Sequence, residues 1–269
     1  MFQEGSTSQP PNVLSVPVAI GALVFGYIGM ALAGRIVGDE SLRTVLAVAE
    51  ATLAIPAILA VVMEGLPWRP AALGRRSGIG AYLLGLLSGA VLWIASFGIM
   101  ELQFAVWPPA PTFVENYRQL HAALRPAGPW DALISVLVIA ILPALSEEFV
   151  CRGVLFSSLA HRHGARMAVL GSAVLFALIH YYPDSYRIPF ALAVGIVLGV
   201  LRLRTSSLTP SILAHTTINT MTFVLAPLTN DPSESLPQGN VGIGLLMLVG
   251  GALALWILLR KRRRRRPTW

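Results

Sequence analysis

The stretch Ile134–Ala160, ISVLVIAILPALSEEFVCRGVLFSSLA, decides how the rest of the chain is read. At ~1.5 Å per residue a helix of that length crosses the ~30 Å hydrocarbon core of a bilayer. Yet Glu147, Glu148 and Arg152 stand deep inside the apolar run. Ionisable side chains there are costly and mark functional sites by default. Glu148 and Arg152 are four residues apart, share a helix face and can form an ion pair that lowers the burial cost of each. Glu147 points about 100° away around the helix and is left without that partner. The stretch therefore splits into a structural pair and a free carboxylate suited to general acid or base work. This requires the helix to continue past Glu147 to about Ala160, with Pro143 bending it.

The surrounding chain fits a membrane setting. Of its 269 residues 55% are hydrophobic and 12% charged, against roughly 25% charged in soluble domains. The fold class expected is an all-α polytopic bundle of about eight transmembrane helices, over 13–34, 43–63, 78–100, 130–159, 166–183, 186–203, 206–227 and 241–259. Residues 1–12 are polar with only Glu4 charged, so no cleavable secretion signal is expected. Cys151 is the single cysteine, which excludes an internal disulfide and a four-cysteine metal site. The net charge of +7 is no nucleic-acid signal, because Arg260–Arg266 form one basic run directly after an apolar helix. Four segments follow: a polar start (1–12), N-terminal transmembrane helices (13–79), a core (80–259) and a basic tail (260–269).

Lysine and arginine concentrate in cytoplasmic loops. With the tail inside, Arg69, Arg75, Arg76, Arg152, Arg162, Arg166, Arg202 and Arg204 also fall inside or just within the fourth span. That makes fifteen of the twenty basic residues, with both termini cytoplasmic. The one long loop, 101–130, contains PTFVENYRQLHAALRP. It has a Thr112-x-x-Glu115 capping box after Pro111, and Phe113, Tyr117, Leu120 and Leu124 recur at helical spacing. A short amphipathic helix on the outer surface is expected, as a plain connector more readily than a lid.

All four aspartates fall in loops or at helix ends; the ionisable residues deep in spans are Glu50, Glu147, Glu148, Arg152, His180 and His215, with Asn219 beside them. Measured from the arginine-marked ends at ~1.5 Å per residue, Glu147 lies about 22 Å from Arg162, His180 about 21 Å from Arg166 and His215 about 16 Å from Arg204, with Asn219 one turn deeper. A carboxylate, two imidazoles and an amide from three helices can thus meet near one level. Taken singly, His180 is an interfacial histidine beside Tyr181 and Tyr182, and His215 with Asn219 is interhelical glue; jointly they form a site. His161 and His163, among arginines, are solvated.

Glu147-Glu148-x-x-x-Arg152, Phe176-x-x-x-His180 and His215-x-x-x-Asn219 resemble, complete and in order, the three motifs of the CPBP family of intramembrane endopeptidases. That family includes CAAX prenyl endopeptidases, bacteriocin self-immunity proteins and myxosortase-like proteases. The resemblance covers roughly residues 80 to 260. It implies that Glu147 and His180 activate a water for attack on a peptide carbonyl, and that His215 and Asn219 donate to the oxyanion. Glu148, Arg152 and Phe176 would support them. It leaves Glu50 unassigned.

Glu147, His180 and His215 could also hold Zn2+ with an open water position. The helical H-E-x-x-H signature is absent, since Phe176 stands four before His180, and a metal-free glutamate mechanism is favoured. No mid-span aspartate pair or G-x-S-x-G exists for other protease chemistries. The rival class is a non-proteolytic immunity or scaffold protein of the same fold. The expected partners are the bilayer and a membrane-protein or lipid-anchored substrate cut near its C-terminus, with no nucleic acid. The arginine-, alanine- and leucine-rich composition points to the inner membrane of a GC-rich bacterium.

Overall fold

A computed structural model describes residues 12–37, 41–181, 185–225 and 232–260, and every regular element within them is helical. The expected polar segment up to residue 11, the tail after Arg260, Asp39, Asp184 and Asp231 lie outside the described residues. So do the last residues expected for the spans 166–183 and 206–227. The elements are α1 (Val16–Val37), α2 (Leu42–Met63), α3 (Ile79–Val106), α4 (Pro111–Ala123), α5 (Pro129–Val136), α6 (Leu142–Glu148), α7 (Phe156–Ile179), α8 (Ile188–Thr205), α9 (Thr209–Leu225) and α10 (Val241–Leu259).

Among the described residues six stretches are long and apolar enough to cross a membrane: Val16–Val37, Leu42–Met63, Ile79–Val106, Pro129–Ile179, Ser185–Thr205 and Val241–Leu259. Large apolar side chains such as Phe25, Leu246 and Trp256 are more than half exposed. Such surface suits lipid rather than water. The chain is a multi-pass membrane protein. The count differs from the expected eight for two reasons. Pro129–Ile179 is one helical run of 51 residues, although its backbone leaves helical geometry at Gly164 (φ 81°, ψ 174°). The described α9 has 17 residues, one turn short of a comfortable span.

The long run is not uniformly α-helical. Pro143, in the first turn of α6, has no N–H and crowds the carbonyl a turn back. The helix widens to π geometry immediately before it, over Leu137–Ile141. A second π stretch, Phe149–Leu155, carries Arg152. π turns recur at functional sites, where they re-aim side chains. Here the α6 segment bearing Glu147 and Glu148 is held between two of them.

Two expectations are corrected. The capping box at Thr112 does not form: Ala110 is the cap and α4 starts at Pro111, two residues earlier than a cap at Thr112 would give, because the preset φ of Pro111 favours the first helical position. Glu115 instead accepts from Arg118 and Gln119. Arg202, read from sequence as a loop-end charge, is buried. It donates to the carbonyls of Arg152 at 3.0 Å and Ala72 at 3.3 Å, tying α8 to the second π stretch and to the turn after α2.

Packing of α3 sets the position of α9. Gly89 of α3 lies directly on the Ala214 backbone, one residue before His215, and a β-carbon there would overlap the Ala214 carbonyl oxygen. Trp93, one turn along, donates to Thr222 at 3.1 Å. The expected outcome for Gly89→Leu is a displaced α9 and a loss of roughly 1–3 kcal/mol from overpacking. Thermal unfolding of the detergent-purified protein measures it, and an unchanged midpoint would contradict this packing.

Candidate active site

The Glu148–Arg152 pair forms as its spacing predicts. Arg152 Nη1 donates to Glu148 Oε1 at 2.8 Å, and neither side chain has any exposed surface. Arg152 Nη2 donates to the Gly195 carbonyl at 3.1 Å, and its guanidinium lies 4.1 Å from the centre of the Phe176 ring. The pair does more than the sequence indicated. Glu148 Oε1 also meets His215 Nδ1 at 3.1 Å, so the supposedly structural carboxylate orients the second histidine. Motif spacing held no signal for that contact, which crosses from α6 to α9.

Phe176 is the hinge of the arrangement. Its ring packs against His180 at 4.5 Å and edge-on to His215 at 5.7 Å. His180 Nδ1 lies 2.8 Å from the Phe176 carbonyl oxygen. A carbonyl can only accept, so Nδ1 carries the proton and Nε2 of the neutral ring presents a lone pair. Both histidines turn this second nitrogen toward Glu147: each Nε2 stands 3.8 Å from Glu147 Oε2. That is too long for a hydrogen bond and leaves room for a water touching all three. Glu147 Oε2 itself has no hydrogen-bond partner.

The structure thus brings Glu147, His180 and His215 together, with Glu148, Arg152 and Phe176 behind them. Asn219 lies one turn beyond His215 on α9 and lines, with His180, a cavity of about 310 Å3. Glu147 and His215 do not line that cavity and are largely covered, with side-chain exposures of 10% and 6% against 24% for His180. Glu50 of α2 is buried, with one carboxylate oxygen unpartnered. Cys151 is fully buried, and His161 and His163 are exposed. Zinc would use the same three atoms of Glu147, His180 and His215. Among the described residues, however, no three His, Cys, Asp or Glu side chains are arranged to hold a metal ion.

The helix expected to be a plain connector roofs this cavity. Phe113, Tyr117, Leu120 and Leu124 all face it, so its apolar stripe covers the site rather than lying on lipid. The roof is pinned by Tyr186, whose hydroxyl accepts from the Ala110 amide at 3.1 Å and donates to the Pro108 carbonyl at 2.8 Å. Tyr117 and Ser235 hydroxyls meet at 3.1 Å. His121 also lines the cavity and stacks on Tyr117 at 4.2 Å.

Residues 129–221 match the family model for the Rce1-like type II CAAX prenyl endopeptidase, a protease family consistent with the CPBP resemblance. The match includes all three motifs and falls within the segment 80–259. No curated protein and no solved structure matches the chain significantly.

Two outcomes are expected. Arg152→Met leaves Glu148 buried without its guanidinium partner and lowers stability by roughly 3–5 kcal/mol; a thermal midpoint within a degree or so of the parent's would contradict the buried pair. Burial, and then the nearby Arg187, lower the His121 pKa from 6.5 to about 4. The undocked ring takes up a proton at higher pH than the docked one, so docking of α4 weakens as pH falls from 6.5 toward 4. Amide exchange in α4 should show this loosening beyond the intrinsic pH effect, and His121→Gln should flatten it.

Proposed function

We propose that the protein is an intramembrane endopeptidase in which Glu147 and His180 activate a water, while His215 and Asn219 bind the oxyanion. The observation that carries this reading is the meeting of Glu147 Oε2 with the Nε2 atoms of His180 and His215 at 3.8 Å, where His180 also lines, with Asn219, a cavity. A water there attacks the substrate carbonyl carbon and gives its proton to Glu147. His180 Nε2 orients it through its lone pair. Glu147 then returns the proton to the departing amide nitrogen as the C–N bond breaks. His215, held at Nδ1 by Glu148, donates from Nε2 when its ring carries both protons. Asn219 adds an amide N–H. Donors fixed before charge develops, in a site shielded from water, are usually the largest catalytic term.

The mechanism proposed is of the glutamate type, without a metal. It is favoured over zinc because the helical H-E-x-x-H signature is absent, Phe176 standing four before His180. In the reading proposed, the 51-residue run folds back at Gly164 and α9 completes a bundle of eight spans, with both termini on the cytoplasmic side of a bacterial inner membrane. Arg69, Arg75, Arg76, Arg162, Arg166, Arg204 and Arg260 then mark the cytoplasmic end. The His180 cavity lies toward the opposite ends of α3, α8 and α9. The substrate is accordingly a segment of a membrane or lipid-anchored protein presented near its C-terminus from the non-cytoplasmic side. A prenylated tail made in the cytoplasm would arrive at the wrong face.

The test is to compare C-termini of the membrane proteome in cells carrying the intact protein, Glu147→Gln or no copy. A set of shortened C-termini should appear only with the intact protein. Asn219→Ala should slow their formation roughly 10²–10³-fold. If Glu147→Gln, which keeps the shape of the side chain, produces the same termini as the intact protein, the enzyme reading fails and a scaffold role replaces it.

A further inference from the structure

At the end of the bundle opposite the His180 cavity, a second hollow of about 1360 Å3 opens between the start of α3 and the ends of α8 and α10. Arg75, Arg76, Arg204 and Arg260 line it, and among the described residues no carboxylate does. Four arginines around one space, with the Arg260 guanidinium lying 5.6 Å from the centre of the Trp256 ring, make a strongly positive field.

The arginines are held there by backbone. The Arg75 amide donates to the Ser206 carbonyl at 2.7 Å and the Leu208 amide to the Leu73 carbonyl at 3.1 Å. Gly74 (φ 70°) and Ser206 (φ 53°) are both left-handed, which turns the two loops toward each other. Arg75 and Arg76 on one loop and Arg204 beside the other therefore face a common space. Arg204 Nη2 donates to the Arg260 carbonyl at 2.6 Å, whereas its Nη1 and the Ser77 hydroxyl have no partner. Helix α3 starts here at Gly78 with no side-chain cap, so its first amides are open and the positive end of its dipole adds to the field. Apart from Thr205 and Ser206 the rest of the wall is apolar, with Leu84, Val200, Leu203, Ile257 and Leu258 running along the helices away from the arginines.

We infer that this hollow binds the phosphate-bearing headgroup of an anionic phospholipid, with its acyl chains against the apolar wall of α3, α8 and α10. Guanidinium forks and open helix amides suit phosphate oxygens. Free phosphate would use the same polar groups but would leave the apolar wall uncovered, and a lipid covers both. The site is separate from the proposed catalytic one and stands whether or not that chemistry is correct.

The full-length protein in mild detergent provides the test, through thermal unfolding with phosphatidylglycerol, with phosphatidylcholine or with millimolar inorganic phosphate. Phosphatidylglycerol should raise the midpoint saturably, and phosphatidylcholine and inorganic phosphate should not. In the double variant Arg75→Gln/Arg76→Gln, whose side chains are exposed at the rim, the lipid concentration needed should rise roughly tenfold or more. Arg204→Gln should act in the same direction, each variant being read against its own lipid-free midpoint. Equal stabilisation by phosphatidylcholine, or an undiminished response in the double variant, would overturn the site. A shift of the same size with inorganic phosphate would overturn the lipid assignment and leave a soluble-anion site.

Discussion

A fully buried arginine fixes the geometry of the candidate site. Burying the Arg152 guanidinium in a bundle of apolar helices is tolerable only if most of its polar atoms are answered. Its two terminal nitrogens are answered by Glu148 on α6 and the Gly195 carbonyl on α8 and its face by the Phe176 ring on α7, while Arg152 Nε and Glu148 Oε2 stay without a hydrogen-bond partner. Those three contacts are also what aim the two histidines. Glu148 holds His215 by Nδ1, and Phe176 holds His180 by its carbonyl and its ring. Both Nε2 atoms consequently point at Glu147, the one carboxylate of the pair that Arg152 does not neutralise. The cost of burying one charge and the orientation of Glu147, His180 and His215 are two aspects of a single constraint.

The two π stretches give that constraint its local form. A regular helix from Pro129 onward would carry Pro143 against a carbonyl it cannot accommodate and would aim Glu147, Glu148 and Arg152 at different neighbours. Widening on both sides of α6 lets a seven-residue segment take its own rotation. Close helix contact does the rest: Gly89 against Ala214 brings α9 near enough for His215 to reach Glu148. Roofed by α4, the resulting chamber is open enough for water yet mostly apolar in its lining, a setting in which oriented dipoles act strongly on developing charge.

Much of this was legible in the sequence, because the membrane makes ionisable residues conspicuous. Glu147, Glu148, Arg152, His180 and His215 stood out as charges where leucine would be cheaper, and the i, i+4 spacing separated the paired glutamate from the free one. What remained hidden depends on contacts between helices. That Glu148 serves His215 as well as Arg152 is set by how α6 faces α9. Arg202 looked like a topology marker because an arginine at a helix end ordinarily is one; its burial against the Ala72 and Arg152 carbonyls depends on a turn after α2 that carries no strong motif. The amphipathic stripe of α4 was visible, but periodicity cannot tell lipid from a protein cavity as the apolar partner. Its start was misjudged because Pro111 outweighed Thr112 at the helix boundary.

The central claim is that a water attacks a peptide carbonyl under the control of Glu147. Membranes containing the intact protein, incubated in H2(18)O, test it directly through mass spectrometry of newly formed C-termini. The account predicts one heavy oxygen in each new C-terminal carboxylate with the intact protein and none above background with Glu147→Gln. New C-termini labelled equally in both, or none in either, would contradict it.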